Sequence, residues 1–399
     1  MRLRYVVLNA YGTGGVARTV VNQANALCAN YDVEIASVYR HRERPHCVID
    51  PRVRLVPLTE FHPDGRPRFD PGDGPTRLTR KTRWFRNRMV HGRDQKFRRW
   101  DPVVDARLIR YFWAVRDGVL VTARLGVSLL ASRYASRRLI RIAQEHLNLA
   151  TYHPRTQAAI TEGYRKLDAV TMLTETDRTS YRNALGDTGV RLECVPNGIP
   201  QPSLPAARLD SKIIIAAGRL GPQKGFDMLL DAFATVHERH PDWQLHIFGG
   251  GHLRHALAGR IERLGLTGAA HLKGVTRRLD EQLAAASIFV LSSRFEGLPM
   301  VLLEAMAAGL PVVSFNCPTG PAEVITDNAS GLLVPPEDVP ALAAAICELI
   351  EDPVRRQALA TAARKEVERY SIESVRQRWE SLFTELAAER KTSRVRGAE

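Results

Sequence analysis

Two carboxylates eight residues apart carry the strongest chemical signal in this chain. The segment Glu296–Gly–Leu–Pro–Met–Val–Leu–Leu–Glu304 follows the apolar run IFVLSS, and Pro299 suits the first turn of a helix. That places Glu296 in a loop at a strand end and Glu304 one to two turns into the helix behind it. Carboxylates at two depths can accept hydrogen bonds from two different sets of hydroxyls. The same spacing also suits a solvated loop acid and a helix-surface charge. A second cluster, Gly218–Arg219–Leu–Gly–Pro–Gln–Lys224–Gly225, follows KIIIAA. Two cations on a glycine-interrupted loop that leads into a helix make a diphosphate clamp, the guanidinium acting as a fork and the ammonium as a point charge. The G-x-x-x-x-G-K-[ST] pattern fails here, so this is no Walker A loop. The plainer alternative is a basic surface turn.

Two weaker signals lie nearer the N-terminus. Gly12–Thr–Gly14–Gly15 joins a first strand to a first helix, where glycines let backbone amides approach a ligand and the helix N-terminus favours phosphate. The full G-x-G-x-x-G spacing is missing and Asp32 comes too early to hold a ribose, which disfavours a dinucleotide site. His146, in AQEHLN, ends the run RLIRIAQE. A histidine there faces the carboxyl end of a strand and can hydrogen-bond a sugar hydroxyl, although a lone histidine also serves as a structural residue.

The elements that must position these groups alternate along the whole chain. LRYVVLNA, YDVEIASVY, VRLVPL, GVLVTA, RLIRIAQE and AVTMLT read as strands of a first series, with GVARTVVNQANALCAN as its first helix. KIIIAAG, WQLHIFG, HLKGV, IFVLSS, LPVVSF and GLLVP read as strands of a second series. Between the series, the proline-punctuated VPNGIPQPSLPAARLD reads as a linker, and residues 62–80 as an irregular loop. Two helical segments, about Pro340 to Leu349 and Ile372 to Glu389, close the chain. The expected fold is α/β: two doubly wound, Rossmann-like domains facing a cleft, over 1–195 and 196–371, with 372–399 as a closing helix and tail. Ligands in such sheets bind at the carboxyl ends of strands.

Bulk properties narrow the class further. A chain of 399 residues with 44% hydrophobic and 25% charged residues is long enough for two ordinary soluble domains. Its five cysteines are scattered and lack C-x-x-C spacing, so neither a disulfide framework nor a zinc site is expected. The apolar run Tyr5–Leu8 is too short for a signal peptide or a membrane span, which makes the cytoplasm the expected location. The net charge of +14 is concentrated: between Arg77 and Arg141 there are 18 Lys or Arg against four Asp. Such a local basic surface attracts an anionic partner.

Together, the Gly-Gly loop, VPNGI, GRLGPQKG, SSRFEGLPMVLLEAMAAGLPVV and TGPAEVI…GLLVPPED resemble the retaining GT-B enzymes of glycosyltransferase family 4 over almost the whole chain. The resemblance implies transfer of a hexose from a nucleotide-diphosphate sugar, most often a UDP-sugar, with retention of configuration. It implies that Glu304 receives the nucleotide ribose, that Glu296 contacts donor-sugar hydroxyls, and that Arg219 and Lys224, with Gly218 and the amides around Gly14 and Gly15, neutralise the diphosphate. His146 would sit against the sugar near its reacting face, and Asn197 of the PNG segment would line the cleft. No metal or other cofactor is expected, since the two cations take the metal's part and the chain has no D-x-D triplet. The last helix would brace the N-terminal domain.

Acceptor choice is expected in the N-terminal domain. TRKTRWFRNRMVHGRDQKFRRW mixes Trp84, Phe85, Met89, Phe97 and Trp100 with nine Arg or Lys. As a helix it fits an anionic membrane surface, peripheral to the inner face of the plasma membrane. It fits equally a polyanionic acceptor such as a polyol-phosphate polymer, or a helix whose rings merely pack on the domain. SFNCPTGPAEVI resembles the subgroup of poly(glycerol-phosphate) alpha-glucosyltransferases, which implies a cell-wall polymer or a lipid-linked glycan as acceptor. A nucleic-acid binder leaves the paired glutamates and the clamp loop unexplained, so no specific nucleic acid is expected. A non-catalytic GT-B sugar-nucleotide binder and a nucleotide-sugar epimerase remain as rival readings.

Overall fold

A computed structural model of the chain describes residues 1–12, 14–61 and 102–396. The expected loop at 62–80 and the aromatic-basic segment at 79–100 lie outside the described residues. The chain divides into two compact units, Met1–Gly198 with Ile372–Glu399, and Ile199–Ser371.

The first unit holds one parallel sheet of β1 (Arg2–Val7), β2 (Asp32–Arg40), β3 (Arg54–Glu60), β4 (Val119–Thr122), β5 (Ile140–Gln144), β6 (Ala169–Met172) and β7 (Arg191–Cys194), in the order β3-β2-β1-β4-β5-β6-β7. Its helices include α1 (Gly15–Leu27), α2 (Pro102–Ala114), α3 (Leu125–Tyr134), α4 (Pro154–Tyr164) and α5 (Glu175–Leu185). The central strands are apolar almost throughout because helices cover both faces. Arg4, within β1 and 5% exposed, is one exception, and its guanidinium donates to the carbonyl of Asp117 at 2.6 Å.

Strand β7, RLEC, was not legible as a strand because it carries no apolar run. It is an edge strand covered by the terminal helix Ile372–Arg396: Arg191 pairs with Glu193 at 2.7 Å and with Glu385 and Glu389 of that helix at 2.5 and 3.2 Å. Charge on an edge strand blunts unwanted pairing. On the same helix Val375, Trp379, Leu382, Phe383 and Leu386 form a buried stripe at helical spacing within the cluster that contains Val20, Val21, Ala24 and Leu27 of α1.

The second unit holds β8 (Ile213–Ala217), β9 (Gln244–Phe248), β10 (Ala270–Gly274), β11 (Ile288–Leu291), β12 (Val312–Phe315) and β13 (Leu332–Val334), all parallel, in the order β10-β9-β8-β11-β12-β13. A helix over Pro353–Val367 is an addition to the sequence reading. Its start signal was present: Asp352 caps it by accepting from the amide of Arg355 at 2.8 Å, with proline in the first turn. In this sheet the strand order reverses between β8 and β11, and in the first unit between β1 and β4. Those are the points where doubly wound sheets open a crevice for a ligand.

Candidate functional site

The two strongest sequence signals follow adjacent strands. The loop Gly218–Gly225 leaves β8 and the loop Ser292–Pro299 leaves β11, at the reversal point of the second sheet. Polar groups lace the loops together. The Arg294 amide donates to the carbonyl of Gln223 at 2.8 Å, and its guanidinium to the carbonyl of Pro222 at 2.8 Å. That guanidinium also grips Asp227 with two bonds of 3.0 and 2.7 Å, which holds the Asp227 carboxyl below its ordinary range. Gln223 donates to the carbonyl of Phe295 at 2.9 Å, and the Ser292 hydroxyl to the carbonyl of Lys224 at 3.0 Å. Gly225 sits at φ +61°, and a Cβ there would lie 2.0 Å from the Ser292 oxygen. Only glycine permits so close an approach of the two loops.

This lacing brings Lys224 onto Glu296. The ammonium lies 2.6 Å from Oε1, with the two side chains 17% and 7% exposed. Ser293 donates to the same oxygen at 2.5 Å, and Thr319 donates to the carbonyl of Glu296. The aliphatic stem of Lys224 crosses Gly218, where a Cβ would come within 3.1 Å of it. Arg219 stands exposed at the strand end and makes no ion pair among the described residues. Glu304 lies half-buried on the helix Met300–Ala307, with Pro299 at its cap rather than inside its first turn. The resulting surface carries an exposed guanidinium, a partly shielded ammonium–carboxylate pair and a second carboxylate at greater depth along the helix.

Five residues escaped sequence reasoning here. Ser293 and Thr319 fix Glu296 but belong to types common in any loop. The run Gly249–Gly251 after β9 approaches the clamp from the other side: Leu220 donates to the carbonyl of Gly250 at 3.0 Å, and a Cβ on Gly249, at φ +140°, would lie 1.8 Å from the Gly218 oxygen. Three consecutive glycines after a strand were the available signal. Cys317, buried close by, has its thiol pushed up to about 12 by burial and then by Glu296, so it supplies no nucleophile.

In the first unit, Gly14 caps α1 without a side-chain hydrogen bond to the helix amides. A Cβ on Gly14 or Gly15 would meet nothing within 4 Å, so packing within the unit does not demand glycine there. The space suits a group that approaches those amides closely. His146 follows β5 by two residues, and its buried Nε2 has no hydrogen-bond partner among the described residues. Burial, then the positive charge of Arg124, hold its pKa down to about 3, so the ring is neutral at pH 7. Asn197, 4% exposed, likewise has an Oδ1 without a partner among the described residues. An unmatched buried polar atom is costly unless a ligand or water completes it.

Glu145 is the residue beside His146 that the sequence left unmarked. It is 2% exposed and accepts from the hydroxyls of Tyr164 and Tyr152, the latter at 3.2 Å. Burial outweighs those bonds and pushes its pKa up to about 7. Among the described residues no group of three or more His, Cys, Asp or Glu is placed to hold a metal ion, and no helix is long and apolar enough to cross a membrane.

With this geometry in hand, residues 204–366 match the family Glycosyl transferases group 1, so the second unit carries a domain of that family. The chain is 32% identical to an exopolysaccharide phosphotransferase of Streptomyces coelicolor over 98% of its own length, and spans 41% of that longer protein. It is 28% identical to a poly(ribitol-phosphate) alpha-N-acetylglucosaminyltransferase of Staphylococcus aureus, over 57% of this chain and 46% of the relative. The chain thus spans less than half the length of these two curated relatives. Among solved structures, a mutant of TarM from S. aureus in complex with fondaparinux, alpha-GlcNAc-glycerol and UDP superposes with a TM-score of 0.76 at 17% identity, covering 96% of this chain and 100% of that one. The fold is therefore GT-B, with two Rossmann-like domains.

Proposed function

We propose that this chain is a retaining glycosyltransferase that moves a hexose from a UDP-sugar to a hydroxyl of a polyol-phosphate polymer. The observation that carries the reading is the junction of the β8 and β11 loops, which sets Arg219, Lys224 and Glu296 on one surface at the reversal point of the second sheet. Cleavage of a glycosyl phosphate builds negative charge on the departing diphosphate and positive charge at the anomeric carbon. Fixed cations at the first charge lower the barrier, because no reorganisation is needed as it develops. Arg219 grips the phosphate oxygens as a fork. Lys224 shares its remaining protons with them while Glu296 holds the ammonium in place, and the other oxygen of Glu296 is left for a sugar hydroxyl. Glu304 accepts from the ribose. The family resemblance implies ligand contacts for the amides at Gly14 and Gly15, for His146 and for Asn197.

In this reading the departing phosphate takes the acceptor's proton, so no nucleophilic carboxylate is needed, in contrast to a retaining glycosidase. The two cations also do the work of a metal. The relative whose name specifies poly(ribitol-phosphate), and the neighbour holding UDP with an N-acetylglucosaminyl glycerol, support the donor and acceptor classes. The phosphotransferase name belongs to a protein of which this chain spans 41%, and does not carry over. The test is nucleotide release from UDP-, GDP- and ADP-sugars with and without poly(glycerol phosphate), in the presence of EDTA. Release from one UDP-sugar, raised by the polymer, is expected. A folded protein that binds UDP yet releases none across donors and acceptors would favour a non-catalytic binder, and loss of release in EDTA would overturn the metal-independent mechanism.

A further inference from the structure

A second cationic surface lies at the amino ends of two interior strands of the first sheet. A groove of about 690 Å³ is lined by Ser132, Arg133, Ala135, Arg137, Arg141, Arg165 and Lys166, five cations and, among the described residues, no carboxylate. The cations come from three places: the end of α3 and the turn after it, the start of β5, and the end of α4. Arg141 is 8% exposed, and burial lowers its pKa, with Arg390 and Arg137 adding to the effect. Its guanidinium donates to the carbonyl of Lys166, while its Nε, 3.6 Å from Asp168, has no hydrogen-bond partner among the described residues. Asp168 pairs with the Arg141 guanidinium and offsets part of its charge, but one carboxylate does not balance five cations. It is also shared with the Arg141 amide at 2.7 Å and with Arg390 at 2.7 and 3.3 Å.

Cations at the C-terminal ends of α3 and α4 complement the helix dipoles, which accounts for one charge at each end. It does not account for five converging on a concave surface around a buried arginine, an arrangement whose summed field attracts an anion. Guanidinium groups in such a fan match phosphate oxygens better than carboxylates of protein origin, and several in a row suit several phosphates.

We propose that this groove binds successive phosphate groups of a linear polyanionic chain and holds that chain away from the transfer site. The groove opens at the amino ends of β5 and β6, whereas His146 lies beyond the carboxyl end of β5, about 17 Å along the strand at 3.3 Å per residue. A ligand in the groove therefore does not touch His146, and only an extended one engages both. The occupant is a water-borne chain rather than a bilayer. Surfaces that dock on membranes combine cations with apolar anchors, and none of the exposed large apolar side chains among the described residues (Met1, Val48, Trp113, Leu204, Val275, Phe295, Val354) lines the groove. Identifying the bound chain as the acceptor rests on the proposed function; its binding does not.

The test is direct binding of poly(glycerol phosphate) to the full chain across a salt series, with UDP affinity measured in parallel. The variant R133S/R137S/R165S/K166S changes four exposed side chains and leaves buried Arg141 in place. Polymer affinity at physiological salt should fall at least tenfold, and the salt dependence should become shallower by about three counterions, at roughly 0.7 per phosphate contact. UDP affinity should be unchanged. A control variant, R52S/R254S/R277S/R278S, removes the same charge elsewhere and should retain polymer affinity. Equal binding by the groove variant and wild type overturns the proposal, as does equal loss in the control, which would mean net charge alone. Groove-dependent binding to phosphatidylglycerol vesicles, without binding to the soluble polymer, would overturn it in favour of a lipid surface. Loss of UDP binding in wild type would refute the donor reading while leaving the polymer result intact.

Discussion

The Lys224–Glu296 pair separates structural from functional cost, and Lys224→Met is the perturbation that does so. Removing the ammonium leaves Glu296, 8% exposed, with the Ser293 hydroxyl but no cation. Breaking a buried pair from one side costs about 3–5 kcal/mol. Lys224 is 17% exposed, so some water reaches the site and the lower end applies. A loss of about 3 kcal/mol multiplies the unfolded-to-folded ratio of the second unit by about 150, at 1.36 kcal/mol per factor of ten. The double variant K224M/E296Q removes both charges and should return to within about 1 kcal/mol of wild type. Phosphate binding behaves differently. A charge-assisted hydrogen bond contributes about 1.5–3 kcal/mol, so UDP should bind about 10- to 100-fold more weakly to the single and to the double variant alike. Hydrogen exchange of β8 and β11 without ligand reads the first quantity, and titration calorimetry with UDP reads the second. A double variant that regains UDP affinity along with stability would refute the phosphate role of Lys224. A single variant as stable as wild type would refute the energetic account of the pair.

Other consequences are equally accessible. Glu304→Ala should weaken UDP binding by about tenfold, the worth of one charged hydrogen bond, while the melting temperature stays close to wild type; unchanged UDP affinity contradicts the ribose role. Glu145 is protonated more readily folded than unfolded, since its pKa rises from 4.5 to about 7. It therefore contributes stability that is whole below pH 4.5 and is lost as pH rises through about 7, about 3 kcal/mol in all. His146, lowered from 6.5 to about 3, works in the opposite sense and loses stability as pH falls below 6.5. Between about pH 4.5 and 6.5 the two slopes offset in wild type. Glu145→Gln should expose the histidine slope, with stability rising with pH in that window; parallel urea-unfolding profiles for the two proteins contradict the assignment.

Much of this protein was legible before any coordinates. The runs KIIIAA, IFVLSS and RLIRIAQE are strands, and the residues after each of them are loops or helix starts, because a buried parallel strand needs a contiguous apolar run and a crossover needs a turn at its end. Glu296 in a loop and Glu304 on a helix follow from Pro299 and the apolar pattern behind it. Strand β7 was not legible, because it has no apolar run and its Arg191 bridges to a helix nearly 200 residues later. Neither was the contact between Lys224 and Glu296, 72 residues apart. That contact exists because β11 returns beside β8 after β9 and β10 have filled the other side, an order that no contiguous pattern states. The basic groove has the same origin: an excess of charge in one stretch of sequence was plain, but its convergence with Arg165 and Lys166 depends on α3 and α4 ending side by side. Which elements form, and which side chains stand at their ends, follows from neighbours along the chain. Which of those ends meet follows from sheet order, and that is set by long-range packing of whole elements.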